Sequence, residues 1–360
     1  MKKGQKALVI DDSALVRRFL KKELERLGFE VEVAKDGEEG EKKALANRYD
    51  FITLDIEMPR KSGLEVLESI MQENPTRVLV ISAYVIENGE IAMRALELGA
   101  LDYIKKPNSK VVTGEEGFIK ELENKVRDSM KINKLSLLRR KNKPLRQPNS
   151  IEKPAKFLPN EDKKYVLIGA STGGPKLIEA IVRSLPATYP YPVCVVQHMP
   201  DTFTEKFAQR LNTISQNSVV EANNGEELTP GKIIIGKGGR HLHFRRDGSK
   251  IVCKLVPNFS NRFFVPSVDE MFLSALEVMN PKNIMAMLLT GIGDDGADGM
   301  VALKKSGAYT IAESEESATV YGMPKEAYVR GGAVKVLHFD EILQEIIAFG
   351  SSNGVKKSRS

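Results

Sequence analysis

The chain has 360 residues, 41% hydrophobic and 28% charged, with a formal net charge of +6; length and composition fit a globular protein of about two domains. No apolar run approaches the roughly 18 residues of a membrane span, and Met1-Lys2-Lys3 leads straight into a strand-like segment, which argues against a signal peptide. The positive charge is local: residues 129–164 hold eleven lysines and arginines against three acids, leaving −2 for the rest, so charge does not point to a nucleic-acid fold.

Residues 7–10 read as a short buried strand ending at Asp11, Asp12 and Ser13. Leu15, Val16, Phe19, Leu20, Leu24 and Leu27 follow at helical spacing, and Gly28 marks the stop. Residues 31–34 and 51–54 are further strands, the second ending at Asp55; Asp36-Gly37 marks a turn, and Ala44, Leu45 and Tyr49 a helix. A strand at 78–81 ends at Ser82, a helix covers 91–98, and a strand at 102–104 runs into Lys105, Lys106 and Pro107. A last helix spans about 118–128. This alternation predicts a doubly wound parallel sheet. Asp11, Asp12, Asp55, Ser82 and Lys106 all fall at C-terminal strand ends, the edge where such sheets bind ligands. Three carboxylates gathered there repel one another unless a cation joins them, and all-oxygen ligation suits Mg²⁺. A lysine and a hydroxyl nearby can hold phosphoryl oxygens. Taken singly, each aspartate reads more readily as a loop start or a helix cap; the five positions together do not.

Residues 129–163 are basic and contain Pro144, Pro148, Pro154 and Pro159, the composition of a solvated linker. Beyond it, residues 165–170 form a buried strand that breaks into Ser171-Thr172-Gly173-Gly174-Pro175, followed by Leu177, Ile178, Ile181, Val182 and Leu185 at helical spacing. A serine on a sharp strand-to-helix turn has unpaired helix N–H groups beside it, the raw material of a nucleophile and an oxyanion pocket. Taken alone, the G-x-S-x-G spelling is more often a phosphate cradle or a plain connection than a catalytic turn. A strand at 192–197 ends at His198, a helix covers 203–211, and strand-like runs follow at 218–222, 232–235, 241–245 and 251–256. Ser267 and Glu270 spell a capping box for the next helix. The strand at 284–289 breaks into a glycine-rich turn with Asp294 and Asp295, then a helix over 297–304. Segments 309–312, 324–329, 334–337 and 340–349 complete the alternation.

Ser, His and Asp at three strand ends can meet at one sheet edge, and a serine nucleophile needs that set. The order Ser…His…Asp differs from the α/β-hydrolase order. The other histidines fit less well. His241 and His243 alternate along one strand at metal-ligand spacing, but no Cys or carboxylate cluster accompanies them, and His338 reads as surface. The two cysteines, Cys194 and Cys253, lie in apolar runs and read as buried free thiols.

Residues 1–128 resemble the receiver domain of two-component response regulators through Leu54-Asp55-Ile56-Glu57-Met58-Pro59 together with the strand-end residues above. The resemblance implies Asp55 as phosphoacceptor, Mg²⁺ held by Asp11, Asp12 and Asp55, Ser82 and Lys106 as switch and phosphoryl contacts, and Tyr103 as a switch aromatic. Ser62 stands where an aspartate is usual before the glycine. Ile168-Gly169-Ala170-Ser171-Thr172-Gly173-Gly174-Pro175, Gln197-His198-Met199-Pro200, Pro266-Ser267-Val268-Asp269 and Leu289-Thr290-Gly291-Ile292-Gly293-Asp294-Asp295-Gly296 resemble the catalytic domain of CheB-type protein-glutamate methylesterases. That resemblance implies Ser171, His198 and Asp295 as a triad, with Thr172 and Ile292 at the oxyanion and substrate side and no cofactor in this domain. It implies two doubly wound α/β domains, a flavodoxin-like receiver at 1–128 and a Rossmann-like methylesterase domain with extra β structure at 164–350, with a tail at 351–360. The implied activity is phosphorylation-regulated hydrolysis of glutamyl methyl esters on chemoreceptors, with deamidation of receptor glutamines. A chemotaxis histidine kinase is the implied phosphodonor, and the expected protein is a cytoplasmic monomer without membrane insertion. A receiver-switched scaffold with a non-catalytic second domain is the alternative. The chain departs from the methylesterase pattern at Ile292 (usually Met), at Phe264-Val265 (usually carrying a basic residue) and at Pro200-Asp201-Thr202.

Overall fold

The computed structural model describes residues 4–82, 89–106, 116–130, 164–187, 189–260 and 262–351. Pro107, all but the first two residues and the last residue of the segment 129–164, and residues 352–360 lie outside them. The chain divides into two compact units, Met1–Pro144 and Leu145–Ser360. Among the described residues no helix is long and apolar enough to cross a membrane.

The first unit runs β1 (Gln5–Ile10), α1 (Ala14–Arg26), β2 (Phe29–Ala34), α2 (Gly37–Ala46), β3 (Phe51–Leu54), α3 (Gly63–Glu73), β4 (Val78–Ser82), α4 (Gly89–Leu98), β5 (Asp102–Lys105) and α5 (Glu116–Ser129). The sheet is parallel with order β2-β1-β3-β4-β5. Every residue of β3 and β4 is buried, as a strand covered by helices on both faces requires. Ser13 caps α1, and Val16, Leu20 and Leu24 press its inner face onto Ala7, Val9 and Phe51. Burying a leucine such as Leu20 contributes about 2–3 kcal/mol. The sequence reading places no element between Asp55 and Val78, where the structure has α3. The signal is present all the same: Ser62 and Glu65 form a reciprocal capping box. Tyr49 lies beyond the end of α2 and instead fills the core, its hydroxyl donating to Glu32 at 3.0 Å.

The second unit runs β6 (Tyr165–Ala170), α6 (Gly174–Ser184), β7 (Val193–Gln197), α7 (Asp201–Ile214), β8 (Ser218–Glu221), β9 (Lys232–Ile235), β10 (His241–Asp247), β11 (Lys250–Val256), α8 (Val268–Val278), a 3-10 turn at Pro281–Asn283, β12 (Ile284–Leu288), α9 (Ala297–Lys305), β13 (Tyr309–Glu313), α10 (Met323–Val329), β14 (Lys335–Leu337) and α11 (Phe339–Ser351). Seven parallel strands lie in the order β14-β13-β12-β6-β7-β9-β8. The chain winds from β6 outward through β7, then returns to the other side of β6 with β12. The C-terminal end of β6 is therefore the topological switch point, where loops part and leave a crevice. β10 and β11 form a separate antiparallel hairpin whose Leu242, Phe244, Ile251 and Cys253 share a core with Met271, Phe272 and Ala275 of α8. Both cysteines are free and buried; burial pushes Cys253 up to about 12 and Cys194 well above the usual thiol range.

Candidate active site

β6 stands between β7 and β12, and each of the three ends in a turn that brings polar residues to one edge. Ala170 and Gln197 are register partners, so Ser171 and His198 follow paired residues, and the His198 N–H donates to the Ala170 carbonyl at 3.0 Å. The Ser171 N–H donates to the Thr290 carbonyl at 2.9 Å, beyond the end of β12. The Ser171 carbonyl accepts from Gln197 Nε2 at 2.9 Å and from the Gly174 N–H at 2.8 Å. Both backbone groups of the serine are thus committed, and its hydroxyl is the part left to move. Gly173 has φ +83°, and a Cβ there would lie 2.3 Å from Thr319 Oγ1, so only glycine fits the turn. A Cβ at Gly291 would come within 2.8 Å of Ser171 Cβ, which shows how closely the β12 turn underlies the serine. Thr172 and Ile292 are both buried here, and the Thr172 carbonyl accepts from the Thr290 hydroxyl at 2.8 Å.

Asp295 is held as an anion at a helix N-terminus. Its Oδ1 accepts the Ser267 hydroxyl at 2.6 Å and the Asp269 N–H at 3.2 Å. Its Oδ2 accepts the Val268 N–H at 2.6 Å and lies 2.7 Å from His198 Nε2. Burial works against the charge, but the bonds from His198, Ser267 and Val268 outweigh it and hold this carboxyl below its ordinary value. An ionised carboxylate can only accept, so the proton sits on His198 Nε2. His198 Nδ1 is left as a buried lone pair with no partner, and the Ser171 hydroxyl does not bond to it in this arrangement. Asp294 points away, its Oδ2 2.5 Å from Arg330.

The ring of Phe264 stacks on His198 with centroids 3.9 Å apart and planes 10° apart. Behind Asp295, Asp269 accepts the Gly299 N–H at 2.8 Å; burial and the Asp295 charge push its carboxyl up to about 6. Ser267 caps α8, but the capping box is not closed. The Glu270 carboxylate bonds His243 Nε2 at 2.9 Å and Arg262 Nε at 3.2 Å, while the Ser267 hydroxyl is spent on Asp295. His241 is buried between the Ser267 N–H, at 3.1 Å, and Asn258 Oδ1, at 3.0 Å, so both its nitrogens are occupied and neither faces a ligand cluster. His338 is partly exposed and contacts Asp340. Sequence reasoning missed the work of Ser267, of the Val268 and Asp269 N–H groups, and of Phe264. The capping signal at Ser267 could have located the first two, because a helix N-terminus is an anion site.

In the first unit, Asp11 follows β1, Asp55 follows β3 and Lys106 follows β5. Lys106 Nζ lies 2.6 Å from Asp55 Oδ2, 3.0 Å from Asp11 Oδ1 and 3.9 Å from Asp12 Oδ1. Burial works against the Lys106 charge, but Asp55 and Asp11 outweigh it and raise the ammonium above its ordinary value. Burial likewise pushes Asp55 up, and Asp11 to about 6. Ligand oxygens of Asp11, Asp12 and Asp55 all lie within 4.8 Å of one another, and among the described residues this is the group that could hold a metal ion. Asp11 Oδ2 is buried without a hydrogen bond, the ammonium 2.9 Å away lying off the line for one. A hard divalent cation fits this donor set. Ser82 is buried at the end of β4, and its carbonyl accepts the Lys106 N–H at 3.0 Å. Tyr103 is buried, with Lys125 Nζ 5.5 Å from its ring centroid.

A family model described as CheB methylesterase matches residues 166–346, and one described as response regulator receiver domain matches residues 7–113. The chain is 42% identical over 349 residues to a protein-glutamate methylesterase/protein-glutamine glutaminase of Carboxydothermus hydrogenoformans, covering 95% of this chain and 98% of that one. It is 44% identical over 342 residues to the protein of the same name in Caldanaerobacter subterraneus, covering 92% and 93%. The crystal structure of the Thermotoga maritima CheB methylesterase catalytic domain is similar with a TM-score of 0.50 at 38% identity, covering 52% of this chain and 98% of that one. The chain therefore belongs to the CheB methylesterase family, with a response-regulator receiver domain ahead of the esterase domain.

Proposed function

We propose that this protein is a phosphorylation-regulated serine hydrolase that removes methyl esters from glutamate side chains of chemoreceptors and deamidates receptor glutamines. The receiver occupies 1–128, the linker 129–163, the esterase domain 164–350 and the tail 351–360. The observation that carries the chemistry is the doubly anchored Asp295, which bonds His198 at Nε2 and leaves Nδ1 as a bare base at the strand edge shared with Ser171.

Nδ1 of His198 takes the Ser171 hydroxyl proton as Oγ attacks the ester carbonyl. Backbone N–H groups at Thr172 and Ile292 receive the oxyanion; such donors are typically worth about 3–4 kcal/mol each. Collapse expels methoxide, which takes the proton from His198 and leaves as methanol. Water then attacks the acyl-serine, giving its proton to His198, and release of glutamate returns that proton to Ser171. An amide follows the same path with ammonia as the leaving group.

In the receiver, Asp55 accepts a phosphoryl group from a chemotaxis histidine kinase, with Ser82 and Lys106 contacting the phosphoryl oxygens and Tyr103 as the switch aromatic. Asp11, Asp12 and Asp55 would hold a Mg²⁺ ion, which when bound would supply positive charge against those oxygens. The protein works as a cytoplasmic monomer. The test is methanol release from methylated receptor membranes by wild type, Ser171→Ala and Asp55→Ala, each with and without a small phosphodonor. The expected result is stimulated wild type, inactive Ser171→Ala, and Asp55→Ala fixed at the basal rate. No methanol from wild type on any receptor would sink the reading and favour a scaffold.

A further inference from the structure

We propose that Phe264 is a positioning residue for the base: its ring face holds the His198 imidazole in the plane that Asp295 sets and stabilises the imidazolium that forms during attack. This deepens the esterase reading and rests on it. Asp295 grips the imidazole at one atom, Nε2. A ring held by one hydrogen bond can still rock about that bond and swing Nδ1 out of place. A parallel aromatic face at 3.9 Å and 10° removes that freedom. Phe264 is itself braced. Phe263 meets it edge-on at 4.9 Å and 88°, and the Phe264 Cε2 lies near the Gly293 turn, 3.9 Å from where a Cβ at that glycine would stand.

The electrostatics act in the same direction. The neutral imidazole gains little from a π face, but a cation above it is attracted by the ring quadrupole. His198 becomes cationic only as it takes the serine proton, so the gain is made in the transition state and raises kcat rather than substrate binding. Among the described residues Asp295 is the charged group bonded to the base, at its Nε2 edge, with Asp269 and Arg262 behind that carboxylate.

The experiment compares wild type, Phe264→Leu and Phe264→Tyr by steady-state methanol release and by NMR of the imidazole protons of His198 in the full chain. Leucine keeps an apolar cover and removes the π face; tyrosine keeps the face. The expected result is a kcat about threefold to thirtyfold lower in Phe264→Leu at unchanged KM, restored in Phe264→Tyr. The His198 ring protons should show an upfield ring-current shift in wild type and Phe264→Tyr that is absent in Phe264→Leu. An unchanged kcat in a folded Phe264→Leu, a loss confined to KM, or no ring-current shift in wild type overturns the proposal. The NMR arm needs no turnover, so a wild type that releases no methanol counts against the esterase reading alone. If Phe264→Leu does not fold, the wild-type shift and a Phe264→Met variant decide in its place.

Discussion

Replacing Asp295 by asparagine separates what its charge does from what its shape does. Each carboxylate oxygen serves two donors: Oδ1 takes the Ser267 hydroxyl and the Asp269 N–H, and Oδ2 takes the Val268 N–H and His198 Nε2–H. An amide offers one oxygen and one NH₂, so one pair of donors must face another donor. The less costly orientation puts the NH₂ at the Oδ1 position, because the Ser267 hydroxyl can turn and accept. The oxygen then keeps Val268 and His198, and the imidazole keeps its tautomer. The Asp269 N–H loses its partner at a cost of about 1–3 kcal/mol of stability. What is lost in catalysis is the negative charge beside the forming imidazolium. At a separation of about 4 Å and an effective dielectric of about 20, that interaction is about 4 kcal/mol, or about a thousandfold in kcat. Methanol release under saturating substrate, with urea unfolding in parallel, reads both numbers. A folded variant that keeps more than a tenth of wild-type kcat refutes the electrostatic role. A loss of about 10⁴-fold or more means that the amide sits the other way and has inverted the tautomer.

Two further predictions concern buried carboxyls whose folded values are raised. Asp269 stands near 6 against an ordinary 3.8, so its ionisation opposes folding; the penalty is absent below about pH 4, grows up to about pH 6 and is complete above that. Asp269→Asn keeps an acceptor for the Gly299 N–H and removes the charge, so it should stabilise the second unit by up to about 3 kcal/mol at pH 7.5 and by nothing at pH 4. Equal effects at both pH values in denaturant melts would contradict this. In the receiver, Asp11 also stands near 6. A cation needs it ionised, so calorimetric Mg²⁺ affinity should fall about tenfold between pH 7 and pH 5 with uptake of one proton per ion released. A pH-independent affinity would mean that Asp11 is not a ligand.

Strand ends were the legible part of this chain. Buried parallel strands read as continuous apolar runs, so Ser171, His198, Asp11 and Asp55 declared their positions by following such runs. Asp295 could be told from Asp294 only by resemblance, because both sit in one glycine-rich turn, and the difference is a side-chain direction. Ser267 looked like a cap and is one, but the second use of its hydroxyl depends on α8 ending against the β12 turn, a tertiary fact. Phe264 was legible only as an apolar residue in an unexpected place. Stacking depends on two loops meeting, and no periodicity within either loop encodes it. Tyr49 shows the opposite limit: its spacing fitted the helix before it, while its burial belongs to the sheet.

The placement of the two cysteines makes the chain a reporter of its own unfolding. Cys194 and Cys253 are the only thiols, both lie in the second unit, and both are sealed and kept protonated by burial. A thiolate reagent therefore finds no target in the native protein and labels it only when the esterase core opens. The receiver contributes no signal, so pulse labelling follows the opening of one domain within the intact chain. It can show whether phosphorylation of the receiver changes how often the esterase core opens, with no fluorophore added and no domain removed.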